Sequence, residues 1–157
     1  MKTEGISLEQ CYSQEIVKGI ITHPEVYPYC SDDGSPSAEA FFPAMGDNIV
    51  HLLVVEEGKP GGVFSFYKSN HIMWELHTSM LPSCRGIKSK SSGVMAIAWM
   101  FNNTGCGKVI TFVPSFNKAA ARAAVSVGMI REGVIKESFI KNYIKYDQII
   151  FGITKGT

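Results

Sequence analysis

Apolar positions along this chain follow two rhythms. Between Leu8 and Ile21 the apolar residues Leu8, Cys11, Tyr12, Ile16, Val17, Ile20 and Ile21 recur at close to helical spacing, with Ser7 placed as an N-cap. The pattern predicts one amphipathic helix that stops near His23-Pro24. Tyr27 to Pro43 then mixes Pro, Ser, Asp and Gly with aromatic residues and predicts an irregular excursion. Such a segment either frames a cleft or is a surface loop pinned by Tyr27, Tyr29, Phe41 and Phe42.

From His51 the rhythm shortens. His51 to Glu56, Gly62 to Tyr67 and Ile72 to Met80 predict three consecutive antiparallel strands, joined at Glu57–Gly61 and at Lys68–His71. A helix follows from Ser91 to Asn102, with Val94, Ile97, Ala98 and Phe101 on one face. Lys108 to Val113 reads as a β-branched strand, Lys118 to Val127 as an Ala-rich helix ended by Gly128, and Ile130–Ser138 and Tyr146–Thr154 as closing strands around Lys141-Asn142. The order is helix, three strands, helix, strand, helix, two strands, which predicts a single α+β domain of three layers over residues 1–157.

Charge excludes some functions. The 15 Lys and Arg nearly cancel the 14 Asp and Glu, so no broad basic surface for nucleic acid is expected. The four cysteines, Cys11, Cys30, Cys84 and Cys106, lack the close spacing of a zinc site, and no metal is expected. The apolar run from Val94 to Phe101 is too short to cross a bilayer, and no secretory leader is read at the start. Cytoplasmic placement without membrane association is therefore the expectation.

The stretch Met80-Leu81-Pro82-Ser83-Cys84-Arg85-Gly86-Ile87-Lys88-Ser89-Lys90 carries the most chemistry. It leads from a strand through a polar turn into a helix, whose N-terminal amides and partial positive charge suit a phosphate. Lys88 and Lys90 add full charges. The same letters also read as an ordinary strand-to-helix turn with solvated lysines. On the preceding strand, alternation puts Met73, Glu75, His77 and Ser79 on one face and Ile72, Trp74, Leu76 and Thr78 on the other. Glu75 and His77 therefore stand together, either as an acid–base pair or as a pair that fixes the strand.

Met80-Leu81-Pro82 with Arg85 three residues later resembles the GNAT N-acetyltransferase superfamily. So do Asn117-Lys118-Ala119-Ala120, Val127-Gly128-Met129 and Arg131-Glu132-Gly133, in the pattern of the ribosomal-protein N-terminal acetyltransferase branch. The resemblance spans Ile72 to Thr154 and implies the GNAT fold, a mixed, mostly antiparallel sheet of about six to seven strands. It implies acetyl-CoA as co-substrate, lying where the family's fourth and fifth strands splay apart. Pantetheine would pair with Ser79, Met80 and Leu81, the phosphates would lie over Arg85, Gly86, Ile87, Lys88, Ser89 and Lys90, and Asn117 would face the thiol arm. Lys88 and Lys90 depart from the small residues usual in the family's turn. For Asn117, an N-cap of the helix from Lys118 is an equal reading.

The resemblance further implies acetyl transfer to a primary amine by direct attack in a ternary complex. A neutral amine needs a base; Glu75 is the first candidate and His77 the second. His51, Phe64, Phe66, Trp74 and the loop from Tyr27 to Phe42 would wall the acceptor, which is a protein or a small molecule. The tyrosine that many members use as thiolate acid falls on Ala124 here, leaving water, Ser126 or no donor, while Tyr143 and Tyr146 lie near the last strand pair. His23 and His71 read as structural or surface residues. Trp74-Glu75-Leu76-His77 and Tyr146-Asp147-Gln148 are also similar to small bacteriophage-encoded GNAT-like proteins. The rival expectation is accordingly a catalytically inactive phage protein acting in assembly or host interaction. A homodimer is compatible with either.

Overall fold

The computed structural model describes residues 2–3 and 5–157. Its elements, in chain order, are β1 (Lys2–Thr3), β2 (Ile6–Gln10), α1 (Gln14–Ile21), α2 (Tyr27–Cys30), β3 (Ile49–Glu56), β4 (Lys59–Lys68), β5 (Met73–Met80), a 3₁₀ turn (Pro82–Cys84), α3 (Ile87–Asn103), β6 (Lys108–Pro114), α4 (Lys118–Ser126), β7 (Ile130–Lys141) and β8 (Ile144–Thr154). The strands form one sheet in the order β1-β2-β3-β4-β5-β6-β8-β7. Neighbours are antiparallel except β5 and β6, which run parallel. Leaving aside the two-residue β1, seven longer strands make the sheet.

Three layers result. One sheet face packs Leu52, Phe64, Phe66, Trp74 and Leu76 against Met95, Ala96 and Met100 of α3 and Ala124 of α4. The other packs Leu53 and Val63 against Val17, Ile20 and Ile21 of α1. Strand alternation feeds both: Phe64 and Phe66 of β4 enter the α3 side and Val63 the α1 side.

The predicted helix from Leu8 to Ile21 is two elements. Ile6 and Leu8 alternate inward while Ser7 pairs with Val55, so Ser7 lies in strand β2 rather than at a cap. Helix α1 begins later, capped by Ser13, whose Oγ accepts from Ile16 N–H at 3.3 Å. The helical spacing holds from Ile16 to Ile21; the strand hidden in the same window wins its first residues by pairing with β3. Helix α3 also starts before Ser91, at Ile87, because Gly86 adopts φ +74°, a left-handed conformation that glycine tolerates and that turns the chain directly into the helix. The hairpin turns are shorter than expected: Glu57-Gly58 between β3 and β4, and Asn142-Tyr143 between β7 and β8.

Candidate functional site

Strands β5 and β6 pair only at Met73↔Lys108, Trp74↔Val109 and Glu75↔Ile110. Beyond that β6 continues beside β8 as far as Pro114↔Gln148, while β5 continues beside β4 as far as Met80↔Gly62. The two strands therefore diverge, and a wedge opens between them toward their C-terminal ends. At its base the Thr111 hydroxyl donates to the Leu76 carbonyl at 3.0 Å, one step past the last backbone pair.

Alternation decides which backbone groups line the wedge. The Ile72 and Leu76 carbonyls point to the β6 side, whereas Leu81 N–H donates to the Gly61 carbonyl in the opposite direction. Thr78 and Met80 therefore turn their backbone groups toward the gap, and Ser79 and Leu81 turn theirs toward β4. Of the three residues expected to meet pantetheine by backbone, Met80 is the one whose backbone groups face the wedge, as those of Thr78 do. Ser79 instead has its side chain nearly buried on the α1 face.

The wedge opens toward the N-terminus of α3. Among the described residues no side chain caps that terminus, and the first amide to enter the helical ladder is Lys90 N–H, bonded to the Gly86 carbonyl at 3.1 Å. The amides of Ile87, Lys88 and Ser89 are the helix's orphan donors. Lys88, Ser89 and Lys90 thus belong to the first turn of α3 rather than to a loop. The charged side chains diverge. Arg85 donates through Nε to the Met80 carbonyl at 3.1 Å and through Nη2 to the Glu25 carbonyl at 2.6 Å, which bridges the turn to the segment after α1. Lys88 Nζ lies 2.5 Å from Glu56 Oε2 and donates to the Ser83 carbonyl at 3.3 Å. The Glu56 carboxylate holds the Lys88 ammonium above its ordinary pKa. Lys90 is exposed and has no side-chain partner among the described residues.

On the α1 face the register sets His51 opposite Ser65 and Ser65 opposite His77, with Tyr67 opposite Glu75 in the next row. Glu75 Oε2 and His77 Nε2 share a short hydrogen bond, and the His77 ring meets the Tyr67 ring edge-on at 5.2 Å. His77 is the more exposed of the pair, at 57% against 29% for Glu75. Burial lifts the Tyr67 phenol above its ordinary pKa. His51 is closed off: Nε2 faces the Ala44 carbonyl at 2.9 Å, so that nitrogen carries the proton, and Nδ1 accepts from Ser65 Oγ at 2.8 Å. Burial pushes its imidazole below the ordinary value, and it serves the fold rather than an open wall. Phe64, Phe66 and Trp74, expected to wall the acceptor, are packed into the core on the α3 side and do not reach this face. A cavity of about 230 Å³ lined by Cys11, Tyr12, Met45 and His51 lies beside β2 and the start of β3, away from the wedge.

The excursion after α1 is fastened to both sides. Tyr27 packs on Phe41 with ring centroids 5.7 Å apart, and the Phe42 ring, though exposed, lies under Lys18 Nζ of α1 at 3.7 Å, whereas Tyr29 is exposed. Asp33 accepts from the N–H groups of Asn142 and Tyr143, each at 2.8 Å, and Lys141 Nζ donates to the carbonyls of Pro28 and Ser31. No local pattern signals this tether to the β7–β8 turn, since the residues lie more than a hundred positions apart.

Asn117 caps α4, its Oδ1 accepting from Ala120 N–H at 3.0 Å, and its amide nitrogen has no partner among the described residues. Ala124 is buried in the core. Ser126 Oγ donates to the Ala123 carbonyl at 2.7 Å. Tyr143 projects into solvent, and Tyr146 packs edge-on against Phe116 at 4.6 Å. His23 Nδ1 accepts from Glu25 N–H at 3.1 Å, and His71 lies in the exposed turn before β5. Among the described residues no group of three or more His, Cys, Asp or Glu side chains comes together, and no helix is long and apolar enough to cross a membrane.

Comparison with known proteins places the architecture. A family model described as a protein of unknown function, DUF2824, matches residues 42–157. Among curated proteins none matches this sequence. Among solved structures, a spermidine N-acetyltransferase from Vibrio cholerae, in complex with CoA and spermine, superposes with a TM-score of 0.80 at 14% identity over 98% of this chain and 97% of that one. A ribosomal-protein-S5-alanine acetyltransferase from Vibrio fischeri gives 0.77 at 15% identity, covering 99% of this chain and 96% of that one. A GNAT-family acetyltransferase from Bacillus anthracis gives 0.76 at 17% identity, covering 99% and 98%. The fold is the GNAT acetyltransferase fold.

Proposed function

We propose that this chain, which belongs to the DUF2824 family, is an acetyl-CoA-dependent N-acetyltransferase acting on a primary amine. The observation that carries the reading is the wedge between β5 and β6, which opens beyond the last pair Glu75↔Ile110 toward the uncapped N-terminus of α3. An acyl-CoA laid in that wedge would run along the backbone edge at Thr78 and Met80, where the Met80 carbonyl already accepts from Arg85 Nε, and its phosphates would lie over the amides of Ile87 to Ser89. That the similar Vibrio cholerae spermidine N-acetyltransferase is solved with CoA supports acyl-CoA as the ligand class.

In this reading the acceptor enters on the α1 face, over Glu75 and His77. Its ammonium gives up a proton to that pair, and the free amine attacks the thioester carbonyl. The nitrogen of the tetrahedral intermediate loses its extra proton to solvent, the oxyanion collapses, the C–S bond breaks, and CoA leaves as thiolate. A backbone N–H on the β5 edge polarises the carbonyl. With Ala124 in the core there is no phenol at that position to protonate the thiolate, and solvent supplies the proton.

The test is thermal unfolding with and without millimolar acetyl-CoA, because a ligand that binds only the native state raises Tm. A rise of several degrees is expected, and no shift overturns the proposal. The buried Ala124 also favours a second reading, a GNAT-fold protein that binds CoA without turning it over; a shift with no thiol release from acetyl-CoA across a panel of amines selects it.

A further inference from the structure

Glu56 closes β3 at the end of the sheet where β5 hands over to the α3 turn, since Glu56 pairs with Lys59 and Gly62 pairs with Met80. Its carboxylate takes Lys88 Nζ at 2.5 Å. Lys88 sits at the second position of α3, where a cation opposes the helix dipole and gains from an anionic partner. In this structure that partner belongs to the protein. Glu57 follows in the turn with φ +50° and adds a second negative charge that Lys88 feels, without bonding to it. The positive charge of the turn is therefore partly cancelled from within: Arg85 is committed to carbonyls of Met80 and Glu25, Lys88 to Glu56, and Lys90 alone stands open among the described residues.

We propose that Glu56 is an internal competitor for the phosphates of the cofactor. Lys88 exchanges the Glu56 carboxylate for a phosphate when CoA binds and returns to it when CoA leaves. The inference rests on the cofactor reading above and adds to it a residue that sets affinity without touching the ligand. Both members of the pair are partly solvated, at 35% and 24% side-chain exposure, so the exchange requires no opening of the core. The functional sense of such a competitor is release: a fully charged turn would hold the product, and product release limits many enzymes.

The experiment is calorimetric titration of CoA into the full chain at low salt, for wild type, E56Q, E57Q, K88A and E56Q/K88A. The expected result is CoA binding about 2- to 5-fold tighter for E56Q, the scale of a partly exposed ion pair, with slower dissociation. E57Q should gain less, because it removes the same charge without freeing Lys88. The gain should vanish in the K88A background. Unchanged or weaker binding by E56Q overturns the proposal, and so does a gain that persists in full without Lys88, which would be long-range repulsion alone. If wild type and E56Q both fail to bind CoA, the cofactor reading falls and this inference with it. If wild type binds and E56Q does not improve, only this inference falls. Melting curves for each variant confirm that all are folded.

Discussion

His77 Nε2 is hydrogen-bonded to Glu75 Oε2, two residues apart on one face of β5, beside the point where β5 leaves β6. The bond occupies one nitrogen of the imidazole and leaves Nδ1 and the second carboxylate oxygen for an incoming amine. If this pair accepts the proton, Glu75→Gln and His77→Gln should each lower kcat by about 100-fold or more, the usual contribution of a positioned base. The acetyl-CoA melting shift should stay intact in both. Turnover of an identified amine at wild-type rate in both variants would remove the pair from the chemistry.

Gly61 lies against the 3₁₀ turn that leads to α3: a Cβ there would stand 2.2 Å from the Cys84 sulfur. Gly61→Ala should destabilise the protein by about 1–3 kcal/mol, as overpacking does, and Gly61→Ala/Cys84→Ala should recover part of the loss. Chemical denaturation of the two variants measures it. Equal stability of the single and double variants would show that another contact is responsible.

Asn117 holds the first turn of α4 through Ala120 N–H. Asn117→Ala should cost about 1 kcal/mol, while Asn117→Asp, which caps equally well, should cost little. If Asn117→Asp also loses acetyl-CoA binding at unchanged stability, the amide nitrogen has a ligand role beyond the cap.

His51 imposes a pH dependence. Its folded pKa lies below the ordinary value of 6.5 because burial disfavours the charged ring. Below pH 6.5 the unfolded state therefore takes up a proton that the folded state resists, and stability falls from there until the folded value is passed. Urea midpoints should drop as the pH falls through 6.5, and His51→Gln, although less stable overall, should show a shallower drop. An equal slope in the variant would place the effect in other groups.

Much of the molecule is legible in the sequence where local pattern and tertiary role agree. The strand run from Met73 to Met80 alternates visibly, so its period of two is enough to put Glu75 and His77 on one face. The order strand, polar turn, helix after Met80 is readable too, because Pro82 interrupts the strand, but the helix start is not: Gly86 at φ +74° begins α3 at Ile87 rather than at Ser91. Local pattern misleads where two elements share one apolar window: Leu8 and Cys11 fit a helix beginning at Ser7, yet Ile6 and Leu8 also fit a strand, and pairing with β3 decides between them.

The sequence by itself determined the alternation of elements from His51 onward, the face shared by Glu75 and His77, and the positive charges beside a helix start, since each follows from neighbours within a few residues. Only the tertiary structure decided that Phe64, Phe66 and Trp74 serve the core, that Asp33 grips the β7–β8 turn, and that Lys88 answers to Glu56. Those outcomes depend on which strand lies beside which and on which sheet face a helix covers. Such long-range pairings are fixed by the burial of the whole sheet, and no local period encodes them.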